Sequence, residues 1–415
     1  MRLRGLVRNF ANPGLSPDLF CVYFSPMGLT TITDSAELKA FCRRQSNTPF
    51  ITVDTEFLRD KTYWPVLCLV QVAGPEEAVA VDTMADGLDL VPLYRLLTNP
   101  KVLKVFHAAR QDLEIFFHRI GKIPTPIFDT QVAAMVCGFG DQVGYETIVN
   151  QVVGARLDKM SRLADWSKRP LTQKQLDYAL ADVLHLRPVY DELAKRLDAS
   201  GRAHWLEEEM ATLTDPGTYR LEPAEAWQRI KTRGGNRRFF AVLKEVAAWR
   251  EREAQSRDIP RNRILRDDSL LDVAAHAPET PEALSRTRGL SNGFATGKMG
   301  KELLKAVKNG LKLPDAEIPK RPKRERLPSG IGPLTDLLKV LLKHQCEQHH
   351  VASRLVASAD DLTRIAADDR ADVRAMQGWR RELFGSKALD LKHGRLAISA
   401  NGSGITVIET GGAQR

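Results

Sequence analysis

The residues best suited to chemistry stand on three separate stretches of this 415-residue chain. Asp54-Thr-Glu56 closes the apolar run Phe50-Ile-Thr-Val-Asp-Thr-Glu-Phe57. In a strand the side chains alternate, which sends Ile51, Val53 and Thr55 to one face and Thr52, Asp54 and Glu56 to the other. Two carboxylates placed side by side repel each other; a hard cation between them is one remedy, and solvation of an exposed strand end is the other. Asp112 follows the run Val102-Leu-Lys-Val-Phe-His107 and opens an apolar helix with Leu113, Ile115, Phe116 and Phe117. There it either complements the helix dipole or faces a site at the strand-to-helix corner of an α/β sheet. His107 and Gln111 flank it and are candidates to meet a substrate. Tyr178-Ala-Leu-Ala-Asp182 puts a phenol and a carboxylate four residues apart on one helix face, beside the stripe Leu176, Leu180, Val183 and Leu184.

Each signal alone fits a solvated polar pair as well as a site. Together, three elements each offer a carboxylate, and no Cys/His cluster competes for a softer metal. An oxygen-only site for Mg²⁺ or Mn²⁺ follows from that donor set. Two such ions about 4 Å apart suit phosphoryl transfer.

The elements that must hold these residues are legible in outline. Runs at 50–57, 66–73 and 78–82 read as strands of a meander, with Pro65 and Gly74-Pro75 between them. A helix near Val91–Leu97, a strand at Val102–Phe106 and a helix over 111–119 follow, which predicts a mixed sheet flanked by helices. From Asp129 to Leu197 the pattern is helical; its longest stretch, Leu171–Leu197, is expected to kink or divide at Pro188. After Asp215-Pro-Gly217 the chain reads as all-α: helices over 239–252, 270–276 and 301–307, then 334–344, 358–367 and 373–383. These two helical stretches read as divergent copies of one module. A charged, proline-punctuated linker separates them, and the last residues, 403–415, are expected to be loose.

Charge is divided unevenly. Residues 1–215 carry 24 Lys+Arg against 27 Asp+Glu, whereas 216–415 carry 37 against 25. A basic half on a mildly acidic one predicts a polyanion-gripping region attached to something else. The candidates are Arg229, Lys231, Arg233, Arg237, Arg238, Arg250 and Arg252, while the basic run at 320–326 reads as a hinge. Five scattered cysteines include no C-x-x-C pair, which excludes a disulfide framework and a structural zinc site and favours reduced thiols in the cytoplasm. No apolar run is long enough to span a membrane. Regular patterning starts after Met27, so 1–27 is expected to be a disordered leader or to precede the true start. Gly293-Phe-Ala-Thr-Gly-Lys298 is one residue short of a P-loop and follows no strand. Gly138-Phe-Gly-Asp-Gln-Val-Gly144 has the wrong glycine spacing for a dinucleotide fold.

The order D-x-E, H-x-x-x-Q-D, Y-x-x-x-D resembles the DEDD superfamily of 3′→5′ exonucleases in its tyrosine subclass. Phe50–Phe57, His107–Phe116 and Asp177–Leu184 are similar to the ribonuclease D family in particular, and 222–310 and about 332–402 resemble the helical HRDC modules that follow that nuclease in pairs. The resemblance implies an α/β ribonuclease H-like exonuclease domain over 28–215, then two small all-α domains, at 222–310 and 332–402, joined by a basic linker at 311–331. It implies that Asp54, Glu56 and Asp182 hold the ion that activates water, that Asp54 and Asp112 share a second ion, and that Tyr178 orients the attacking water. Phe57 would stack on the terminal base or serve the core. The expected activity is metal-dependent hydrolysis of RNA from its 3′ end to 5′-mononucleotides, with tRNA precursors as substrates and a monomeric enzyme. A DNA exonuclease and a non-catalytic RNA-binding scaffold on the same fold are the alternatives.

Overall fold

The structure, a computed structural model, describes residues 28–157, 164–319 and 327–411. The expected leader and the basic run 320–326 lie outside the described residues. The chain divides into two units. One comprises the described residues 28–56, 69–215 and 327–411, the other 57–68 and 216–319.

The first unit is built on β1 (Gly28–Ile32), α1 (Ser35–Gln45), β2 (Phe50–Leu58), β3 (Val66–Ala73), β4 (Glu77–Val81), α2 (Val91–Leu97), β5 (Leu103–Phe106), α3 (Arg110–Ile120), β6 (Ile127–Asp129), α4 (Thr130–Val136), α5 (Tyr145–Val153), α6 (Gln173–Leu184), α7 (Leu186–Ser200) and α8 (Ala203–Leu213). The sheet order is β1-β4-β3-β2-β5-β6, with β3 and β4 antiparallel and the β1/β4, β2/β5 and β5/β6 pairs parallel. This is the mixed, helix-flanked sheet expected from the pattern, with two additions. β6 is too short, and β1 (Gly-Leu-Thr-Thr-Ile) too polar, to carry a strand pattern of its own; they are fixed by pairing with β5 and β4. The central strands are buried on both faces, so they read as near-continuous apolar runs: seven of the eight β3 residues are buried.

The anticipated helix 171–197 divides at His185. Pro188 stands in the first turn of α7, where no helical bond needs its missing N–H. Thr172 starts α6 with a capping box, bonding Gln175 N while the Gln175 side chain answers its backbone.

The second unit holds α9 (Arg237–Arg257), α10 (Arg261–Ile264), α11 (Asp267–His276), α12 (Pro281–Ser285), α13 (Asn292–Thr296) and α14 (Lys298–Leu311) around a core that includes Phe240, Trp249, Leu270, Leu284, Leu303 and Val307. α9 and α14 cross so closely at Gly310 that a Cβ there would lie 2.6 Å from Val242 Cα. The β2–β3 excursion belongs to this unit although it falls inside the span expected to be one domain. Tyr63 is buried in the helical core, its hydroxyl bonded to Glu251 and met by Arg261 Nη2 at 3.0 Å, while Asp258 accepts from the backbone N–H groups of Tyr63 and Trp64.

The chain then returns to the first unit with α15 (Ile331–Gln348), α16 (Ser353–Val356), α17 (Ala359–Ala367), α18 (Gly378–Arg380), α19 (Ser386–Lys392), β7 (Leu396–Asn401) and β8 (Gly404–Glu409). This helical stretch packs on α4 and α8. Trp379 stacks on Trp205 with centroids 4.1 Å apart, Ala352 N donates to Met135 O at 2.9 Å, and Arg380, only 2% exposed, donates to Glu208, Glu209 and Leu355 O. Gly138 is needed twice over, by its φ of +82° and because a Cβ would meet His350 O at 2.8 Å. Residues 403–411 correct the expectation of a loose tail: 404–409 pair with β7 as a hairpin. The overlooked signal is Gly402-Ser403 ahead of the β-branched run Ile405-Thr-Val-Ile408, an ordinary two-residue hairpin turn.

Candidate active site

Three local devices bring the acidic residues together. Thr52 Oγ1 donates to the carbonyl of Val183 at 2.7 Å, which ties α6 to β2 and sets Asp182 opposite the Asp54/Glu56 face. Asp129, at the end of β6, accepts from the N–H groups of Ala108 and Ala109 at 3.0 and 2.8 Å and also caps α4. It thereby holds the turn between β5 and α3, in which Ala108 adopts a φ of +59°, and aims Asp112. Tyr145 Oη, on α5, donates to the carbonyl of Asp182 at 2.5 Å.

Asp54, Glu56 and Asp182 each present an oxygen within 4.8 Å of the others. Asp112 is buried and held by the hydroxyl of Thr55, which stands on the opposite face of β2 from Asp54. Its charge acts on Glu56, and that of Asp54 acts on it, so it borders the group. Tyr178 lies one turn before Asp182, bonded to its carboxylate. Of the other candidates, Gln111 is exposed in the first turn of α3. His107 packs edge-on against Tyr145, its Nδ1 2.9 Å from Thr130 Oγ1 and its Nε2 buried. Because Thr130 donates its own proton to Phe106 O, the His107 proton sits on Nδ1. Phe57 follows Glu56 but falls in the segment that belongs to the second unit, and alternation turns it from the Glu56 face.

Burial and mutual repulsion shape the electrostatics of these carboxylates. Burial pushes Asp54 up to about 6. Burial, then the charges of Asp54, Asp182 and Asp112, push Glu56 up to about 10. Burial and Asp54 raise Asp112 well above the usual carboxylate range. Burial, reinforced by Asp182, Glu56 and Asp54, also raises Tyr178, so its phenol keeps its proton at any physiological pH. An all-oxygen donor set fits a hard divalent ion.

Sequence reasoning missed the supports. Trp166, 2% exposed, lies beside Tyr178 with ring centroids 6.2 Å apart. Arg169 and Asp82 hold the loop that carries it. One expected RNA contact is also corrected: Arg250 is 4% exposed and donates to Leu265 O and Asp267, a structural role. Its spacing of four from the buried Val246 and Ala254 was the available signal.

Comparisons with known proteins agree with this geometry. The 3′-5′ exonuclease family model matches residues 29–198, and that of the HRDC domain matches 239–307. Ribonuclease D of Nitrobacter hamburgensis is 53% identical over 378 residues, covering 91% of this chain and 99% of its own. That of Acidiphilium cryptum is 51% identical over 378 residues, covering 91% and 96%. The crystal structure of Escherichia coli RNase D, described as an exoribonuclease involved in structured RNA processing, superposes with a TM-score of 0.76 at 30% identity, covering 88% of this chain and 98% of that one. The catalytic core of RRP6 from Trypanosoma brucei, at 22% identity and a TM-score of 0.55, shares the fold. With relatives more than 50% identical matching along nearly their whole length, the chain belongs to the ribonuclease D family of 3′→5′ exoribonucleases.

Proposed function

We propose that the acidic group holds two divalent ions, Mg²⁺ or Mn²⁺, and that the enzyme trims the 3′ ends of tRNA precursors and similar RNAs, releasing 5′-mononucleotides. The observation that carries this is the convergence of Asp54, Glu56 and Asp182 within 4.8 Å, with the charges of Asp54, Asp182 and Asp112 all acting on Glu56. Asp54, Glu56 and Asp182 would hold one ion, and Asp54 with Asp112 the other. Such ions supply charge neutralisation and make water acidic beside the phosphorus. The residues of the chain then have distinct tasks. Tyr178, held in its protonated form beside Asp182, orients the attacking water toward the terminal phosphorus. Thr55 and Asp129 keep Asp112 aimed, and Tyr145 keeps the α6 backbone in place. Attack expels the 3′ oxygen of the preceding nucleotide.

The helical stretch after residue 327 is read as a second HRDC module. Like the first, it runs from a long helix through a one-turn helix to a third helix with two aspartates in its first turn, with α10 and α16, four residues each, ending in an extended cap residue (Leu265 and Ala357). Among the described residues no helix is long and apolar enough to cross a membrane. Free thiols at Cys42, Cys68, Cys137 and Cys346 fit a reducing compartment, in keeping with a monomeric cytoplasmic enzyme.

The test follows a 5′-labelled tRNA precursor with a 3′ extension, incubated with the protein in Mg²⁺, in EDTA, and with Asp54→Asn. A ladder shortening one nucleotide at a time, absent from both controls, is the expected result. Faster shortening of a matched DNA end would favour the DNA exonuclease. Tight binding without shortening in Mg²⁺ or Mn²⁺ would leave the scaffold.

A further inference from the structure

We propose that Asp258 is a positioning residue for the nuclease reaction: it fastens the segment that continues the metal-binding strand to the second unit, and so sets where Glu56 stands. β2 carries both Asp54 and Glu56, and its register with β5 covers Phe50, Ile51 and Thr52. Glu56 therefore lies beyond the reach of that pairing. The chain then passes into 57–68, which belongs to the second unit. Leu58 ends β2, so only residues 59–62 separate the strand from Tyr63. What holds Tyr63 also holds the end of the strand that bears Glu56.

The hold is specific. Asp258 Oδ1 accepts from the backbone N–H groups of Tyr63 and Trp64 at 3.0 and 2.9 Å, and Thr62 Oγ1 closes the turn by donating to Trp64 O at 2.6 Å. The Tyr63 ring is buried in the core of the second unit with the Arg261 guanidinium 4.8 Å above it. Its hydroxyl bonds the buried Glu251 and receives Gln255 Nε2 at 3.2 Å and Arg261 Nη2 at 3.0 Å, while Arg261 also pairs with Glu251. An apolar side chain could slide in such a pocket; a hydroxyl set into a buried ion pair takes one position.

Nothing in α9 calls for an aspartate where this one stands. Asp258 follows the last residue of that helix with a φ of +51°, the left-handed conformation that glycine adopts without cost. Its carboxylate faces the negative end of the helix dipole, where a charge of that sign is disfavoured. Glycine would serve the helix better on both counts. The residue is explained by the two N–H groups it accepts, from positions 195 and 194 residues earlier in the chain. The consequence is catalytic because a displacement of about 1 Å at a reacting group costs on the order of a hundredfold in rate.

This inference rests on the reading of Glu56 as a metal ligand, and the experiment separates the two. In the full-length protein, Asp258→Gly removes the acceptor while suiting the left-handed backbone, Asp258→Asn keeps an acceptor oxygen, and Tyr63→Phe keeps the ring and removes only the hydroxyl. Mn²⁺ binding is measured by calorimetry without substrate. Turnover is measured on an RNA with a 3′ extension and on the p-nitrophenyl ester of uridine 5′-monophosphate, a phosphodiester that asks only for the metal site. Asp258→Gly and Tyr63→Phe are expected to bind Mn²⁺ about fivefold more weakly and to lose about tenfold in kcat on both substrates, at unchanged KM for RNA. Asp258→Asn should restore most of both losses. A merely structural role would lower the melting temperature and leave Mn²⁺ binding by the folded protein as it was. Parent-like Mn²⁺ binding and ester turnover in both Asp258→Gly and Tyr63→Phe would overturn the proposal, and a loss confined to RNA would overturn it in favour of a substrate contact. A parent that binds no Mn²⁺ would overturn the metal reading itself, and this inference with it.

Discussion

Arg169 grips Asp82 through two parallel bonds of 2.6 Å, Nε to Oδ2 and Nη2 to Oδ1, across 87 residues of sequence. Asp82 directly follows β4, and the same guanidinium donates to the carbonyl of Trp166 at 2.7 Å. The clasp therefore fixes the loop that lays Trp166 beside Tyr178. Bidentate guanidinium–carboxylate pairs specify geometry as well as strength.

Loosening that clasp should cost turnover through Tyr178. Arg169→Met is expected to lower kcat about tenfold with little change in KM, since about 1.4 kcal/mol of misplacement is a factor of ten in rate. In a Tyr178→Phe background the same substitution should cost almost nothing further. Steady-state kinetics on the four proteins of this cycle check it; equal losses in both backgrounds would show that the loop acts by another route.

Removing a carboxylate from the cluster should separate stability from activity. Glu56→Gln is expected to abolish 3′ trimming while raising the metal-free melting temperature, because the amide escapes the cost of protonating a carboxyl that burial and the charges of Asp54, Asp182 and Asp112 keep from ionising. A gain of about 1–2 kcal/mol is the scale for such a relief. Thermal melts in EDTA set beside the trimming assay measure both.

Lys104 gives a pH dependence of definite sign. It is fully buried in β5, its Nζ donating to the carbonyls of Asn99, Val102 and Thr125, and burial pushes its pKa down to about 7. The unfolded chain holds that proton up to the ordinary value of 10.5, so between about 7 and 10.5 it binds more protons than the fold, and this residue's contribution to stability rises with pH. Below about 7 both states are charged and the contribution is flat. Between pH 7.5 and 9.5 the wild type should gain about 2–3 kcal/mol relative to Lys104→Met, at about 1.4 kcal/mol per pH unit. Urea unfolding of both proteins at the two pH values reads the difference, and a difference that shrank with rising pH would reverse the assignment.

The packing of α15–α19 on the first unit should depend on Arg380. Replacing it with Met leaves the carbonyl of Leu355 without its donor and the 14%-exposed side chain of Glu209 without one of its two arginines. Breaking a buried pair from one side costs about 3 kcal/mol. Limited proteolysis should release residues beyond 327 faster in Arg380→Met than in the parent, while Arg354→Gln, which alters an exposed contact to Gln142, should change little.

The sequence by itself determined what rests on neighbouring residues. Alternation along Phe50–Phe57 placed Asp54 and Glu56 on one face, helical spacing placed Tyr178 beside Asp182, and the charge division set a basic half apart from an acidic one. The three motifs in order were enough to name the chemistry. Tertiary structure decided what depends on contacts between distant positions: Thr52 with Val183, Tyr145 with Asp182, Arg169 with Asp82, and the excursion 57–68 that joins the second unit. No local periodicity encodes such a pair, because each partner is ordinary in its own stretch and the bond exists only once the sheet and its helices have packed. The same reason hid the role of Arg250, whose charge reads as surface until its place among buried neighbours is known.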